Sequence, residues 1–221
     1  MSTALRFIYR RRMTTTTTTW HPDPADRAEP PRAVVLVGNP RPGSRTRAVA
    51  EAVARGVLGR WDVDPTHHVI ELADHGADVL EPDASAVADD LARVAGATLL
   101  VVATPVYKGS YTGLLKAFLD RFGHRPLDGV VAVPVVVSAA PAHAAAGDDH
   151  LRPLLVELGA TVPERSFAVT EAALAGDGGT AGAPLDTVAD ALVAAWLDDL
   201  GPDRLPAVPA ALLAPVAAVA S

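Results

Sequence analysis

The residues best suited by type and spacing to do chemistry lie in 38-GNPRPGSRT-46. A run of small and β-branched residues feeds directly into this stretch, and apolar positions at helical spacing follow it. Gly43 and two prolines impose an irregular backbone. Ser44 and Thr46 contribute hydroxyls, and Arg41 and Arg45 contribute positive charge. The start of a helix adds unpaired N–H groups and a dipole worth about half a positive charge. Together these donors suit a dianionic phosphate. Without a ligand, Ser44 or Thr46 is a plain helix cap and the arginines are solvated. The position of the loop, directly after the first strand, favours the anion. A second stretch, 104-TPVYKGSY-111, combines a strand-stopping Pro105 with Gly109, which permits close backbone approach. It offers the N–H groups of residues 106–109 to carbonyl oxygens on a planar group, aromatic surface from Tyr107 and Tyr111, and the charge of Lys108. Tyr111 taken alone reads as a core or interface residue. The third stretch to consider is 138-SAAPAHAAAG-147.

These loops need a scaffold that brings them together. Strand-like runs are expected at residues 33–38, 69–72, 98–103, 130–137 and 166–169. Helical spacing is expected at 46–60, 83–94, 111–122, 147–158 and 186–200. Continuous apolar runs mark strands covered on both faces. Regular alternation of strand and helix predicts an α/β fold: a doubly wound parallel sheet with right-handed crossovers and helices on both faces. The common five-stranded arrangement is the flavodoxin-like order 2-1-3-4-5. In that order ligands bind outside the carboxyl ends of the strands, at the loops after strands one and three, with help from the loop after strand four. Those are the three stretches above.

Composition narrows the function further. The chain has 221 residues, 49% of them hydrophobic, enough for one domain with a substantial core and too few for two. Cysteine is absent, which excludes disulfides, thiolate nucleophiles and Cys-based metal sites and fits a reducing cytoplasm. A net charge of −7 argues against non-specific attraction to nucleic acid or anionic membranes. Residues 1–31, with Arg10-Arg11-Arg12 and six consecutive threonines, are expected to be a disordered arm preceding a domain at 32–200. Residues 201–221 are expected to be a flexible tail or a strip on a partner subunit. Pro206, Pro209 and Pro215 argue against a membrane span there.

Other chemistries are not written in the chain. There is no G-x-G-x-x-G after the first strand, no G-x-x-x-x-G-K-[ST] and no G-x-S-x-G elbow. His67 and His68 are adjacent on an expected strand and point opposite ways, so no metal pair is expected. His143 and His150 have no partner at a telling spacing. Asp89-Asp90, Asp148-Asp149 and Asp198-Asp199 read as solvated pairs on helix exteriors.

The segment TPVYKGSYTGLLKAFLD resembles the signature of the NAD(P)H-dependent FMN reductases, specifically the type that supplies reduced flavin to alkanesulfonate and related two-component monooxygenases. GNPRPGSRT is similar to that family's phosphate loop, and His143 with 150-HLRPLLVELGA-160 to its fourth helix, so the likeness spans roughly residues 33–160. The resemblance implies a flavodoxin-like fold, a homodimer or homotetramer, and FMN held by the three loops. It implies hydride transfer from NADH or NADPH to flavin N5. Carried across by position, Ser44, Arg45 and Thr46 would hold the phosphate with Arg41 beside it. Pro105, Val106, Tyr107, Lys108 and Gly109 would line the isoalloxazine edge, with Lys108 opposing charge at N1–C2=O. Ser138, Ala139 and Ala140 would form the third wall, where the family has a glycine pair. Inside the fourth helix, Asp149 stands where relatives carry an aromatic or similar residue. Hydride transfer between stacked rings needs alignment rather than a side-chain acid or base, so no catalytic residue is nominated. The competing readings are a quinone or azo reductase with fixed flavin, a flavodoxin-like electron carrier, and a scaffold without flavin.

Overall fold

The computed structural model describes residues 33–175 and 182–213. The expected N-terminal arm at 1–31 and the last part of the expected tail, 214–221, lie outside the described residues. Five parallel strands form one sheet in the order β2-β1-β3-β4-β5: β1 (Ala33–Val37), β2 (His68–Glu71), β3 (Leu99–Pro105), β4 (Val131–Ser138) and β5 (Phe167–Thr170). The flavodoxin-like order expected from the alternation is the one observed. Every residue of β1, β3 and β4 is buried, as their unbroken apolar runs require.

Side chains alternate across the sheet and feed two cores. On one face Val35, Val37, Val101 and Val133 pack with α1 (Arg45–Arg60) and α6 (Leu185–Leu200), through Val53, Val57, Val193 and Leu197. On the other, Val34, Leu36, Leu100 and Val102 pack with α2 (Ser85–Ala95), α3 (Gly113–Leu119) and α4 (Arg152–Glu157), through Leu91, Phe118 and Leu155. Two short helices were not expected: α5 (Glu171–Leu174), capped by the Thr170 hydroxyl, and α7 (Ala210–Leu213).

The helix expected over 147–158 is not uniform. Gly147–Leu151 is a π-turn, and α winding begins only at Arg152. Pro153 supplies a reason. It has no N–H, and its ring would collide with the Asp149 carbonyl in an α-turn. The wider turn instead lets the Arg152 N–H reach the Gly147 carbonyl. The turn is also held from outside. One Asp148 carboxylate oxygen accepts both the N–H and the hydroxyl of Ser166, each at 2.8 Å. Gly147 packs so closely that a Cβ there would lie 2.7 Å from Ser166 Cβ.

The first half of the expected tail packs on the chain itself. Leu205 and Leu212 are buried in the α1/α6 layer. Arg204 pairs with Glu164 at 3.0 Å, and its carbonyl accepts the Glu164 N–H.

Candidate functional site

The carboxyl ends of β1, β3 and β4 bring the three loops to one edge of the sheet, since β3 lies between the other two. The loop after β1 enters α1 through Ser44, whose hydroxyl accepts the Arg47 N–H at 3.4 Å. The N–H groups of Ser44, Arg45 and Thr46 have no acceptor among the described residues. No acidic residue occupies the first turn of α1. The backbone reaches this shape through local bonds. Asn39 is buried, accepts the Arg41 N–H at 3.0 Å and donates to the Thr46 hydroxyl at 3.0 Å. Gly43 takes a positive φ of 60° and donates its N–H to Glu71 Oε1 at 2.9 Å.

Charge around this loop is largely spoken for. Arg47 binds Glu51 at 2.6 Å and Glu71 at 2.7 Å, and hydrogen bonding to Glu51, then Glu71, raises its pKa above the ordinary arginine value. Arg45 lies 3.5 Å from Glu171, both side chains being half exposed. Arg41 is exposed and has no acidic partner among the described residues.

The loop after β3 is a miniature hairpin. Tyr107 N–H donates to the Ser110 carbonyl at 2.9 Å and Ser110 N–H returns a bond at 3.2 Å. Lys108 and Gly109 between them have φ of 55° and 82°, the signature of a mirror-image two-residue turn. The expectation that all four N–H groups of 106–109 are offered outward needs correction. Val106 N–H continues the sheet by donating to the Val137 carbonyl at 2.9 Å, and Tyr107 N–H closes the hairpin. The Lys108 and Gly109 N–H groups have no acceptor among the described residues. Pro105 and Val106 are buried, whereas Tyr107 is 46% exposed and Lys108 is exposed. Tyr111 is half-buried against the α2/α3 core.

Two threonines that the sequence reading passed over fasten these loops. Thr104 is fully buried, donates to the Pro105 carbonyl and accepts the Thr112 N–H. The Thr112 hydroxyl donates to the Gly38 carbonyl at 2.5 Å and accepts the Leu115 N–H at 3.2 Å, capping α3. A threonine near the start of the expected 111–122 helix, of a type that favours the cap position, was the available signal. In the third loop Ser138 is 1% exposed and turns its hydroxyl inward to the Ala140 carbonyl at 3.0 Å. Ala140 has an extended backbone, φ −138° and ψ 146°, which any residue adopts, so no glycine is required at that position.

Two acidic pairs depart from the solvated reading. Asp90 is only 14% exposed and bridges His75 at 2.7 Å and Arg93 at 2.8 Å. Asp148 anchors Ser166, as described above. Asp198 and Asp199 pair with Arg60 and Arg165. His68, His143 and His150 are exposed, and His67 is half-buried. Among the described residues no group of three potential ligands gathers to hold a metal, and no helix is long and apolar enough to cross a membrane.

The model of the NADPH-dependent FMN reductase family matches residues 31–174. The chain belongs to that family. It is an oxidoreductase of FMN and reduced nicotinamide. The family match covers all three loops, and the edge they form fits FMN chemically: unspent N–H donors and hydroxyls for a phosphate at one end, unspent N–H donors for ring carbonyls at the other.

The chain is similar to the NADH-dependent FMN reductase SfnF of Pseudomonas putida, with 35% identity over 64% of this chain and 78% of that one. It is also similar to SfnE of the same organism, a protein of the same description, with 36% identity over 63% and 77%. Among solved structures, the apo form of an NADH:FMN oxidoreductase, EmoB, superposes with a TM-score of 0.60 at 30% identity, over 79% of this chain and 94% of that one. An oxidoreductase of Corynebacterium diphtheriae, at 24% identity and a TM-score of 0.59, shares the fold.

Proposed function

We propose that this FMN reductase takes up FMN, reduces it with NADH or NADPH and releases it to a flavin-dependent monooxygenase. The observation that carries this reading is the charge balance of the phosphate loop. Of the arginines at 41, 45 and 47, only Arg41 lacks an acidic partner among the described residues. Phosphate is then held chiefly by the dipole and N–H groups of α1, in a protein of net charge −7. A grip of that kind suits a flavin that must leave. Ser44, Arg45 and Thr46, with Arg41, would hold the phosphate. The Lys108 and Gly109 N–H groups would meet the ring carbonyls, with Pro105, Val106 and Tyr107 shaping that edge and Ser138, Ala139 and Ala140 forming the opposite wall.

FMN supplies the hydride acceptor when bound. The chain's part is to orient it: the donors at the two ends fix it lengthwise, and the Lys108 ammonium offsets negative charge at the ring edge. No side chain needs to move a proton. A homodimer or homotetramer in the cytoplasm is the assembly this reading expects.

The test is nicotinamide oxidation followed at 340 nm, with NADH and with NADPH, with and without free FMN. Turnover proportional to added FMN is the expected result. A protein purified with tightly held flavin, consuming nicotinamide only when a quinone is added, would overturn it. So would one that ignores nicotinamide altogether.

A further inference from the structure

Glu71 is the last residue of β2, opposite Val37 in the sheet and immediately beside the loop that leaves β1. Its side chain is 6% exposed, although a carboxylate leaves water only at considerable cost. Its two oxygens are used separately. Oε1 accepts the Gly43 N–H at 2.9 Å, and Oε2 accepts from the Arg47 guanidinium at 2.7 Å. Arg47 belongs to the first turn of α1 and is braced in turn by Glu51 at 2.6 Å. The carboxylate thus ties a loop residue with φ of 60° to the helix that follows.

The electrostatic sign makes this placement informative. A carboxylate beside an anion site repels the anion, so charge attraction cannot be its service to the ligand. What it supplies is geometry. By holding Gly43 and the first turn of α1 together, it sets the direction in which residues 44–46 present their unspent N–H groups. We propose that Glu71, braced by Arg47, is a positioning residue for the phosphate end of the site. The proposal rests on the reading that residues 41–46 receive the FMN phosphate.

Riboflavin shares the ring of FMN and lacks the phosphate, so it separates a positioning role from a merely structural one. Dissociation constants for FMN and riboflavin are measured by quenching of flavin fluorescence on the full chain, for the wild type, Glu71→Ala, Glu71→Asp and Glu71→Gln. Glu71→Ala is expected to weaken FMN by about tenfold, the size of one charge-assisted hydrogen bond, and to leave riboflavin unchanged. Glu71→Asp keeps the charge but shortens the reach, and is expected to behave as Glu71→Ala does; it carries the test if the alanine variant does not fold. Glu71→Gln retains an oxygen for the Gly43 N–H and is expected to stay within about threefold of the wild type for FMN. Equal weakening of FMN and riboflavin would overturn the proposal, as would an alanine variant that keeps the full preference for FMN. A wild-type protein with no preference for FMN over riboflavin would fail the phosphate reading itself, and this inference with it.

Discussion

Lys108 holds a left-handed backbone, φ 55°, that costs an L-residue about 1–2 kcal/mol. Such turns favour asparagine at this position. Lys108→Asn is therefore expected to raise the urea unfolding free energy of the ligand-free protein by about 1 kcal/mol, while FMN-dependent turnover falls for want of the ammonium. A variant less stable than the wild type would show that the turn carries no such strain. Gly38 makes the opposite point. A Cβ there would sit 2.7 Å from Leu115 Cβ, so Gly38→Ala must push β1 and α3 apart. The expected cost is about 1–3 kcal/mol, read from the shift of the unfolding midpoint, together with weaker FMN binding. Both residues lie in stretches whose composition marked them as functional. The strain and the close approach did not show in the sequence, because one needs the turn type and the other a neighbour far along the chain.

At the scale of elements, the buried strands were legible because a continuous apolar run admits few other readings. Helix ends were less so. The expected 111–122 helix spans only Gly113–Leu119, because the Thr112 hydroxyl closes its start and Asp120 its end. The π-turn at Gly147–Leu151 was invisible to periodicity, since its outside support comes from Ser166, 18 residues from Asp148. The same distance problem hid Asp90, whose partner His75 is 15 residues away in the connection between β2 and α2. Asp148→Ala leaves the buried Ser166 N–H without its acceptor. It is expected to cost about 1–3 kcal/mol by chemical denaturation. An unchanged midpoint would mean that the π-turn is held by Pro153 and packing alone.

For the whole molecule, the order of strands and helices alone places the three loops at one edge, because the topology rule depends only on the order of elements. The residues that shape those loops from behind, Asn39, Glu71, Thr104 and Thr112, were missed. Each is polar and buried; Glu71 and the Thr112 hydroxyl bond to segments far along the chain, while Asn39 and Thr104 act within their own loops at spacings no regular period marks. The carboxyl-terminal segment reads as a flexible tail or a strip on a partner subunit because it is uncharged after Arg204 and rich in proline, yet Leu205 and Leu212 complete the α1/α6 core. A chain ending at Leu200 is expected to lose about 3–6 kcal/mol, from the burial of two leucines, measured by urea unfolding. Full stability after truncation would show that these leucines contribute nothing. The Thr112 bond to the Gly38 carbonyl has a mechanical consequence of its own. It couples the two loops directly, so inorganic phosphate seated at the root of α1 should be felt at the hairpin tip. The amide resonance of Gly109 should then move on adding phosphate alone, and Thr112→Val should silence that response.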